Sequence, residues 1–223
     1  MIRLRRNHLG LLIAGGMLAS WPSLAAEPDS TASAEGARTM VTISAGSKPQ
    51  FTIGLPAGWK AADQMMGAGD PNSPFALVIF SSADLSSLEG EEQIAAIGKI
   101  DVGELPSFFL QRGKAPKGAT CASFPEKAQK SVVHMIEGSS IGDGVKKVTP
   151  FEGVPTTVGG CSGVRVKGRY LTPEQQEWTV DAFVVSDGAT QYIFSLRNQS
   201  PNYARNLAAF ESTMATVKLA AAP

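Results

Sequence analysis

Residues 161–218 read CSGVRVKGRYLTPEQQEWTVDAFVVSDGATQYIFSLRNQSPNYARNLAAFESTMATVK, and this stretch decides the fold. Its first part contains three runs that are typical of strands, over Cys161–Thr172, Glu177–Asp187 and Thr190–Asn198. The links between the runs are short, and Asp187-Gly188 is a good turn pair, so neighbouring strands should pair antiparallel. The far half of the second run is apolar on both faces, which predicts that both faces are covered.

A helix should follow the third strand. Ser200 suits the capping position, and Pro201 suits the first helical position. Apolar residues then recur at steps of four, three, four and three, and they are Tyr203, Leu207, Phe210, Met214 and Val217. This spacing makes one apolar stripe, which should pack on a face of the sheet.

Residues 1–26 have the pattern of a bacterial export signal. Three arginines precede a short apolar core over Leu9–Leu18, and Ser23-Leu24-Ala25-Ala26 offers small residues for cleavage. The core is shorter than the roughly 20 residues that a membrane-spanning helix needs, so we expect no transmembrane segment in the mature chain. The pattern predicts a periplasmic protein with a cleaved signal.

The remaining chain suits one domain. The full chain carries 20 basic and 20 acidic residues, and the signal holds three of the basic ones and no acid. The mature chain is therefore mildly acidic, which argues against nucleic acid as its main partner. Residues 27–38 are small and polar and predict a flexible lead-in, and residues 39–219 predict the single domain.

Short strands are predicted on both sides of a central helical region. Met40–Ser44 and Gln50–Leu55 alternate and should form a hairpin. Phe75–Ser81 is nearly all apolar and predicts a central strand buried on both faces. Val145–Thr149 and Val154–Val158 are weaker strand candidates.

The central region, in contrast, has helical features. Glu91–Lys99 and Gly103–Arg112 are each candidates for a short helix. Ser123-Phe124-Pro125-Glu126 has the pattern of a capping box, followed by apolar residues at helical spacing as far as Gly138. We therefore expect three helices between the strand at Phe75–Ser81 and the C-terminal meander.

This order of elements resembles the PsbP/DcrB-like family. The resemblance is carried by FTIGLPAGW (residues 51–59) and, most of all, by the meander and helix of residues 161–218, and it covers residues 39–219. It implies an α+β fold, an α/β/α sandwich with a mostly antiparallel central sheet and a C-terminal amphipathic helix packed on it. It also implies a non-catalytic binding or assembly protein. We expect a protein or another component of the envelope as its partner, and no cofactor.

Cys121 and Cys161 are the two cysteines of the chain. In an oxidising compartment an even pair usually forms a disulfide. Closing a loop of about 40 residues contributes about 4 kcal/mol in the chain-entropy model. A redox or metal pair is the alternative, but the chain has no C-x-x-C and the mature part has a single histidine. We predict a disulfide and no metal site.

Gly138-Ser139-Ser140-Ile141-Gly142 matches G-x-S-x-G, so a serine hydrolase that uses Ser140 is an alternative function. A nucleophile elbow needs a strand before the serine and a helix after it, whereas here a helix is predicted before it. The mature chain's histidine, His134, has no evident partner for catalysis. We therefore expect no enzyme.

Arg165, Lys167 and Arg169 alternate along the first strand of the meander and share one face over about 13 Å. We call these three residues the basic stripe. Such a stripe suits an anionic lipid head group, a polysaccharide or an acidic protein. The alternative is a solvated strand face whose charge is offset by Glu174, Glu177 and Asp181. The basic stripe is the best candidate site in the chain. Apart from this site, a further alternative function is that of a stress-related or toxin-neutralising binding protein of the envelope.

Overall fold

The computed structural model describes residues 38–220, apart from residues 46–47, 63–76 and 142–143. The predicted export signal and nearly all of the predicted lead-in lie outside the described residues. The same is true of the first two residues of the predicted strand at Phe75–Ser81, and of Gly142 in the G-x-S-x-G match.

Within the described residues, strands and helices alternate irregularly along the chain. They are β1 (Thr39–Ala45), β2 (Lys48–Leu55), β3 (Lys60–Ala62), β4 (Leu77–Ser81), a short 3-10 helix (Leu85–Ser87), α1 (Gly90–Asp101), β5 (Ser107–Lys114), α2 (Glu126–Ser140), β6 (Lys146–Val158), β7 (Cys161–Leu171), β8 (Glu177–Ser186), β9 (Thr190–Gln199), α3 (Ser200–Met214) and β10 (Lys218–Leu219).

The strands form two sheets. The larger has seven strands in the order β3-β4-β5-β9-β8-β7-β6, and the smaller has three in the order β1-β2-β10. Every neighbouring pair in both sheets is antiparallel. The meander β6 to β9 occupies one side of the large sheet, and β6 forms its edge.

The large sheet lies between two covering layers. On one face, α2 packs on β7 and β8 through Val132 and Ile136, and α1 packs on β4 and β5 through Ala96 and Ile100. On the opposite face, α3 and the small sheet share the largest apolar cluster, which includes Phe51, Phe108, Phe183, Phe194, Phe210 and Met214. The predicted α+β fold, with its mostly antiparallel sheet and its C-terminal helix packed on that sheet, is confirmed.

Most predicted strands are also confirmed. The three strands of the meander and the N-terminal hairpin form within one or two residues of the expected bounds. The apolar strand β4 lies between β3 and β5, and its residues Val78, Ile79 and Phe80 are all buried, as expected for a strand covered on both faces. Residues 179–186 of β8 are all buried for the same reason.

The helix predicted over Gly103–Arg112 is wrong, because Ser107–Lys114 forms strand β5 in the large sheet. Phe108 faces the cluster beneath α3, whereas Phe109 faces α1 on the other side. Both faces are covered, so the segment has no polar alternation that marks it as a strand. The two weak candidates Val145–Thr149 and Val154–Val158 belong, apart from Val145, to one long strand, β6, whose pairing with β7 shifts register on both sides of Thr149.

Two predicted helix starts also differ in detail. Ser123 makes no cap, and α2 begins after Pro125 and continues through Gly138 to Ser140. Ser200 is the first residue of α3 rather than its cap, and its hydroxyl lies 2.9 Å from the Thr179 hydroxyl of β8. The Ser200 hydroxyl, which the sequence pattern predicted as a helix cap, thus makes a tertiary contact with β8 instead.

The predicted disulfide joins Cys121 and Cys161. The N–H of Ser162 donates to the carbonyl of Cys121 at 2.7 Å, so a hydrogen bond supports the same junction. The segment that precedes α2 is therefore fixed to the start of β7. None of the described helices combines the length and the apolar character that a membrane crossing requires.

Candidate functional site

The basic stripe lines an open groove on the face of the large sheet that carries α3. The groove has a volume of about 550 Å³, and its walls include Thr149 and Val154 of β6, the basic stripe on β7, and Tyr203 of α3. We call it the stripe groove. It therefore brings together one exposed strand, the three predicted cations and one side of the C-terminal helix.

The groove lies between α3, which packs mainly over β9, β8 and β5, and the edge strand β6. Val154 on β6, which pairs with Arg165, is 62% exposed. Pro150 and Pro155 lie in β6, and proline cannot donate a ladder hydrogen bond, so these residues suit an edge strand. They also hinder the addition of a partner strand at this edge, which leaves side chains as the means of contact.

A buried carboxylate, Asp181 of β8, contacts three of the side chains that line the stripe groove. Arg165 donates to it from Nε at 2.8 Å and from Nη2 at 2.6 Å, Lys167 Nζ lies 3.2 Å away, and the Tyr203 hydroxyl donates at 2.7 Å. The hydrogen bonds from Arg165 to Asp181 raise the pKa of Arg165 further above its high usual value. Burial raises the pKa of Tyr203, which keeps its phenol protonated as a donor.

The other charges of the stripe are also paired. Arg165 reaches Glu211 of α3 at 2.6 Å, and Arg169 donates to Glu177 at 3.0 Å. The side chains of Lys167 and Arg169 nevertheless remain 48% and 46% exposed. The groove is therefore a mixed-charge surface, with Arg165 fixed in its interior and two accessible cations at its mouth.

The residues of the hydrolase alternative do not form a nucleophile elbow. Ser140 is the last residue of α2, and its hydroxyl donates to the carbonyl of Ile136 at 2.8 Å. A helix, not a strand, precedes it, whereas the elbow requires a strand there. His134 is exposed on the same helix while Ser140 is buried. They are six positions apart, which places the two side chains on different sides of the helix.

The described residues contain no cluster of three or more histidine, cysteine, aspartate or glutamate side chains that is arranged to hold a metal ion.

Sequence reasoning missed a second cleft, which lies on the opposite face of the large sheet. It has a volume of about 510 Å³, and its walls are Asp101, Phe109, Gln111, Trp178, Ser195 and Arg197. We call it the arginine cleft. Alternation along the third strand of the meander places Ile193, Ser195 and Arg197 on one face, which was the available sequence signal for this cleft. The pattern did not show that this face is open at Arg197.

Comparisons with known proteins find solved structures with a similar fold but no curated protein with a similar sequence. No protein-family model matches this sequence, and no curated protein matches it. Among solved structures, the chain is similar to the cyanobacterial PsbP (CyanoP) of Synechocystis sp. PCC 6803, with a TM-score of 0.49 and 12% identity over 82% of this chain and 93% of that one.

Two further structures are similar at the same level. LpqN of Mycobacterium tuberculosis, a protein involved in cell envelope biogenesis, has a TM-score of 0.42 and 14% identity over 82% of this chain and 90% of that one. A Bacteroides thetaiotaomicron protein has a TM-score of 0.44 and 13% identity over 83% of this chain, which spans only 49% of that protein. Likeness at this level assigns neither a family nor a function, so membership of the PsbP/DcrB-like family stays a prediction.

Proposed function

We propose that this protein is an exported, non-catalytic binding protein of the bacterial envelope, and that the stripe groove is its contact surface. The observation that carries the proposal is the juxtaposition, in one open groove, of the exposed apolar side chain of Val154 with the half-exposed cations Lys167 and Arg169. An apolar contact flanked by charged groups is the usual anatomy of a recognition surface.

The half-exposed cations Lys167 and Arg169 suit recognition of an acidic partner surface, and Glu152, which also lines the groove, lies opposite Lys167 on β6. Glu177 is only partly buried, so an acidic group of a partner can compete with it for Arg169. Exposed charges of this kind mainly set the association rate and the choice of partner. Arg165, in contrast, is committed to Asp181, and we expect it to hold the groove in shape rather than to bind the partner.

Export is supported by the signal pattern of residues 1–26 together with the Cys121–Cys161 disulfide, because disulfides persist in oxidising compartments. Osmotic-shock fractionation followed by intact-mass measurement tests this directly. We expect a periplasmic protein that has lost 25 or 26 residues and two thiol hydrogens. A cytoplasmic chain that retains its leader and free thiols would contradict the proposal.

The absence of catalysis is supported by the engaged hydroxyl of Ser140 and by the separation of His134 from it. A fluorophosphonate probe tests the hydrolase alternative on the folded protein. We expect no adduct, and labelling that is lost in Ser140→Ala would instead establish a nucleophilic serine.

Site-specific photo-crosslinking tests the contact surface. The photoreactive residue p-benzoylphenylalanine would replace Val154 in the stripe groove or, as a matched control, Ile94 on α1, which is 70% exposed on the opposite face. Irradiation of intact cells should give a discrete adduct from position 154 and none from position 94. The identity of the adduct would also distinguish an assembly factor from a toxin-neutralising protein. The absence of an adduct at position 154 would contradict the proposal.

A further inference from the structure

Arg197 of β9 is held over two aromatic rings in the arginine cleft. Its guanidinium carbon lies 5.5 Å from the centre of the Trp178 ring and 5.6 Å from the centre of the Tyr170 ring. Its Nε donates to the Tyr170 hydroxyl at 2.8 Å. The two rings belong to a cross-strand pair of β7 and β8 and are nearly parallel, at 11°. The guanidinium is thus positioned by contacts from two neighbouring strands.

The charge of Arg197 differs from that of the basic stripe in one respect. Each stripe cation has a carboxylate within ion-pair distance, whereas no carboxylate among the described residues lies within that distance of Arg197. Its two Nη groups likewise donate to none of the described residues. An arginine whose orientation is fixed but whose outer donors are free is suited to bidentate binding of a carboxylate, sulfonate or phosphate.

The remaining walls of the arginine cleft offer apolar surface. Phe109 and Trp178 line it, with Ser195 and Arg197 of β9 between them, and Gln111 lies on the other side of Phe109. A neighbouring cavity of about 500 Å³ also includes Gln111, and it continues toward apolar residues of α2 and β9, namely Val132, Met135, Ile136 and Ile193. Cavities of this size accept small organic molecules.

We propose that the arginine cleft binds a small amphipathic organic anion, with its anionic group on Arg197 and its flat apolar body against Phe109 and Trp178. This site is independent of the stripe groove and lies on the other face of the sheet. Asp101, which also lines the cleft, opposes a second negative charge and so favours ligands with a single anionic group.

Two fluorescent probes of similar shape test the proposal. Anilinonaphthalene sulfonate carries the anionic group, and phenylnaphthylamine is its uncharged counterpart. We expect Arg197→Gln to raise the Kd of the sulfonate at least about tenfold, as for the loss of a charge-assisted pair, and to change the Kd of the neutral probe less than about twofold. Asp101→Asn should tighten sulfonate binding about twofold to threefold by removing a repulsive charge. Arg169→Gln, in the stripe groove, is the matched control and should change neither Kd.

The indole N–H resonances report where the probe binds. Trp178 lines the arginine cleft, whereas Trp59 contacts Phe108, with ring centres 5.9 Å apart, on the face that carries α3. The Trp178 signal should shift with the same Kd as the fluorescence, and the Trp59 signal should not move. Near-ultraviolet circular dichroism confirms that each variant is folded, and Arg197→Lys replaces Arg197→Gln if the latter unfolds.

Three results would overturn the proposal. The first is the absence of saturable sulfonate binding to the wild-type protein. The second is equal weakening of both probes in the Arg197 variant, which would show a structural effect without anion recognition. The third is a shift of Trp59 in place of Trp178.

Discussion

Arg165 of β7 forms a two-pronged ion pair with Asp181 of β8, whose carboxylate is fully buried. A carboxylate in such a place is stable only when it is paired and hydrogen-bonded. The same guanidinium lies over the ring of Phe183, with its carbon 4.5 Å from the ring centre. This arrangement joins two strands beneath α3 and removes one of the three stripe cations from the surface available to a partner.

Asp181→Asn should destabilise the protein, because Arg165 loses its main counter-charge. We expect the free energy of unfolding to fall by about 2–4 kcal/mol. This loss lies at the lower side of the range for a broken buried ion pair, because Glu211 still contacts Arg165. Urea unfolding followed by circular dichroism measures it. Arg169→Gln removes an exposed pair and should cost less than about 1 kcal/mol. Equal small losses in both variants would show that the buried pair is not structurally important.

Gly103→Ala should be strongly destabilising. Gly103 has φ of +78°, and an added Cβ would lie 2.6 Å from the side chain of Asn198. Asn198 accepts a hydrogen bond from Asn206, which also donates to the Gly103 carbonyl, so the clash disturbs the junction between α1 and α3. We expect a loss of about 2–4 kcal/mol in the free energy of unfolding, measured by urea denaturation.

Gly98→Ala is the matched control for that substitution. Gly98 lies within α1, and an added Cβ would meet nothing within 4 Å. Alanine there should raise the free energy of unfolding by about 0.5–1 kcal/mol, because it lowers the backbone freedom of the unfolded chain. If both alanine variants change stability in the same direction, the account of Gly103 is wrong.

Stability should decline at alkaline pH through Tyr192. Its hydroxyl lies 2.5 Å from Gln50 Oε1 and 2.8 Å from Asp187 Oδ2, and burial, reinforced by Asp187, raises its pKa. The phenol of the unfolded chain ionises near pH 10 while the folded one stays protonated. The folded state then holds the extra proton, so the free energy of unfolding falls as pH rises above about 10.

Tyr192→Phe isolates this contribution. The variant should be less stable than wild type at neutral pH but should lose less stability between about pH 9 and pH 11, because its residue 192 has no proton to lose. Urea unfolding at a series of pH values gives the two slopes. Parallel slopes for the wild type and the variant would contradict the assignment.

Loss of the disulfide should destabilise the chain without changing its fold. The bond closes a sequence separation of 40 residues, for which the chain-entropy model gives about 4 kcal/mol. We expect a fall of about 3–4 kcal/mol for the Cys121→Ala/Cys161→Ala protein, and a similar fall for reduced wild type. A change below about 1 kcal/mol in both would show that residual structure in the unfolded chain already holds these segments together.

The meander and the C-terminal helix could be predicted because their signals are local. Asp187-Gly188 marks a tight turn, and alternation or helical spacing identifies each element on its own. Strand β5 could not be predicted in this way. Phe108, Phe109 and Leu110 are consecutive apolar residues that pack against α3 on one face and α1 on the other, and α3 follows them by about a hundred residues in the sequence. A run of that kind fits a buried helix and a buried strand equally well.

The candidate site was likewise predictable only where its signals are local in the sequence. Alternation placed Arg165, Lys167 and Arg169 on one face, and the pairing with Asp181 and Glu177 follows from their positions on the neighbouring strand. Glu211 could not be foreseen as a partner of Arg165, because it comes from α3, 46 residues further along the chain. The arginine cleft also depends on tertiary structure, since its opening beside Arg197 is set by where α1 and α2 pack.

The most direct test of the stripe groove is charge reversal at its mouth, measured as the yield of the crosslinked adduct from p-benzoylphenylalanine at position 154. Lys167→Glu/Arg169→Glu reverses the two exposed stripe cations and leaves Arg165 with Asp181. Lys99→Glu/Lys127→Glu makes the same change in net charge at exposed positions on α1 and α2. Our account predicts a fall of at least about fivefold in yield for the stripe variant and less than about twofold for the control. Equal yields from the two variants would contradict the assignment of the stripe groove as the binding surface.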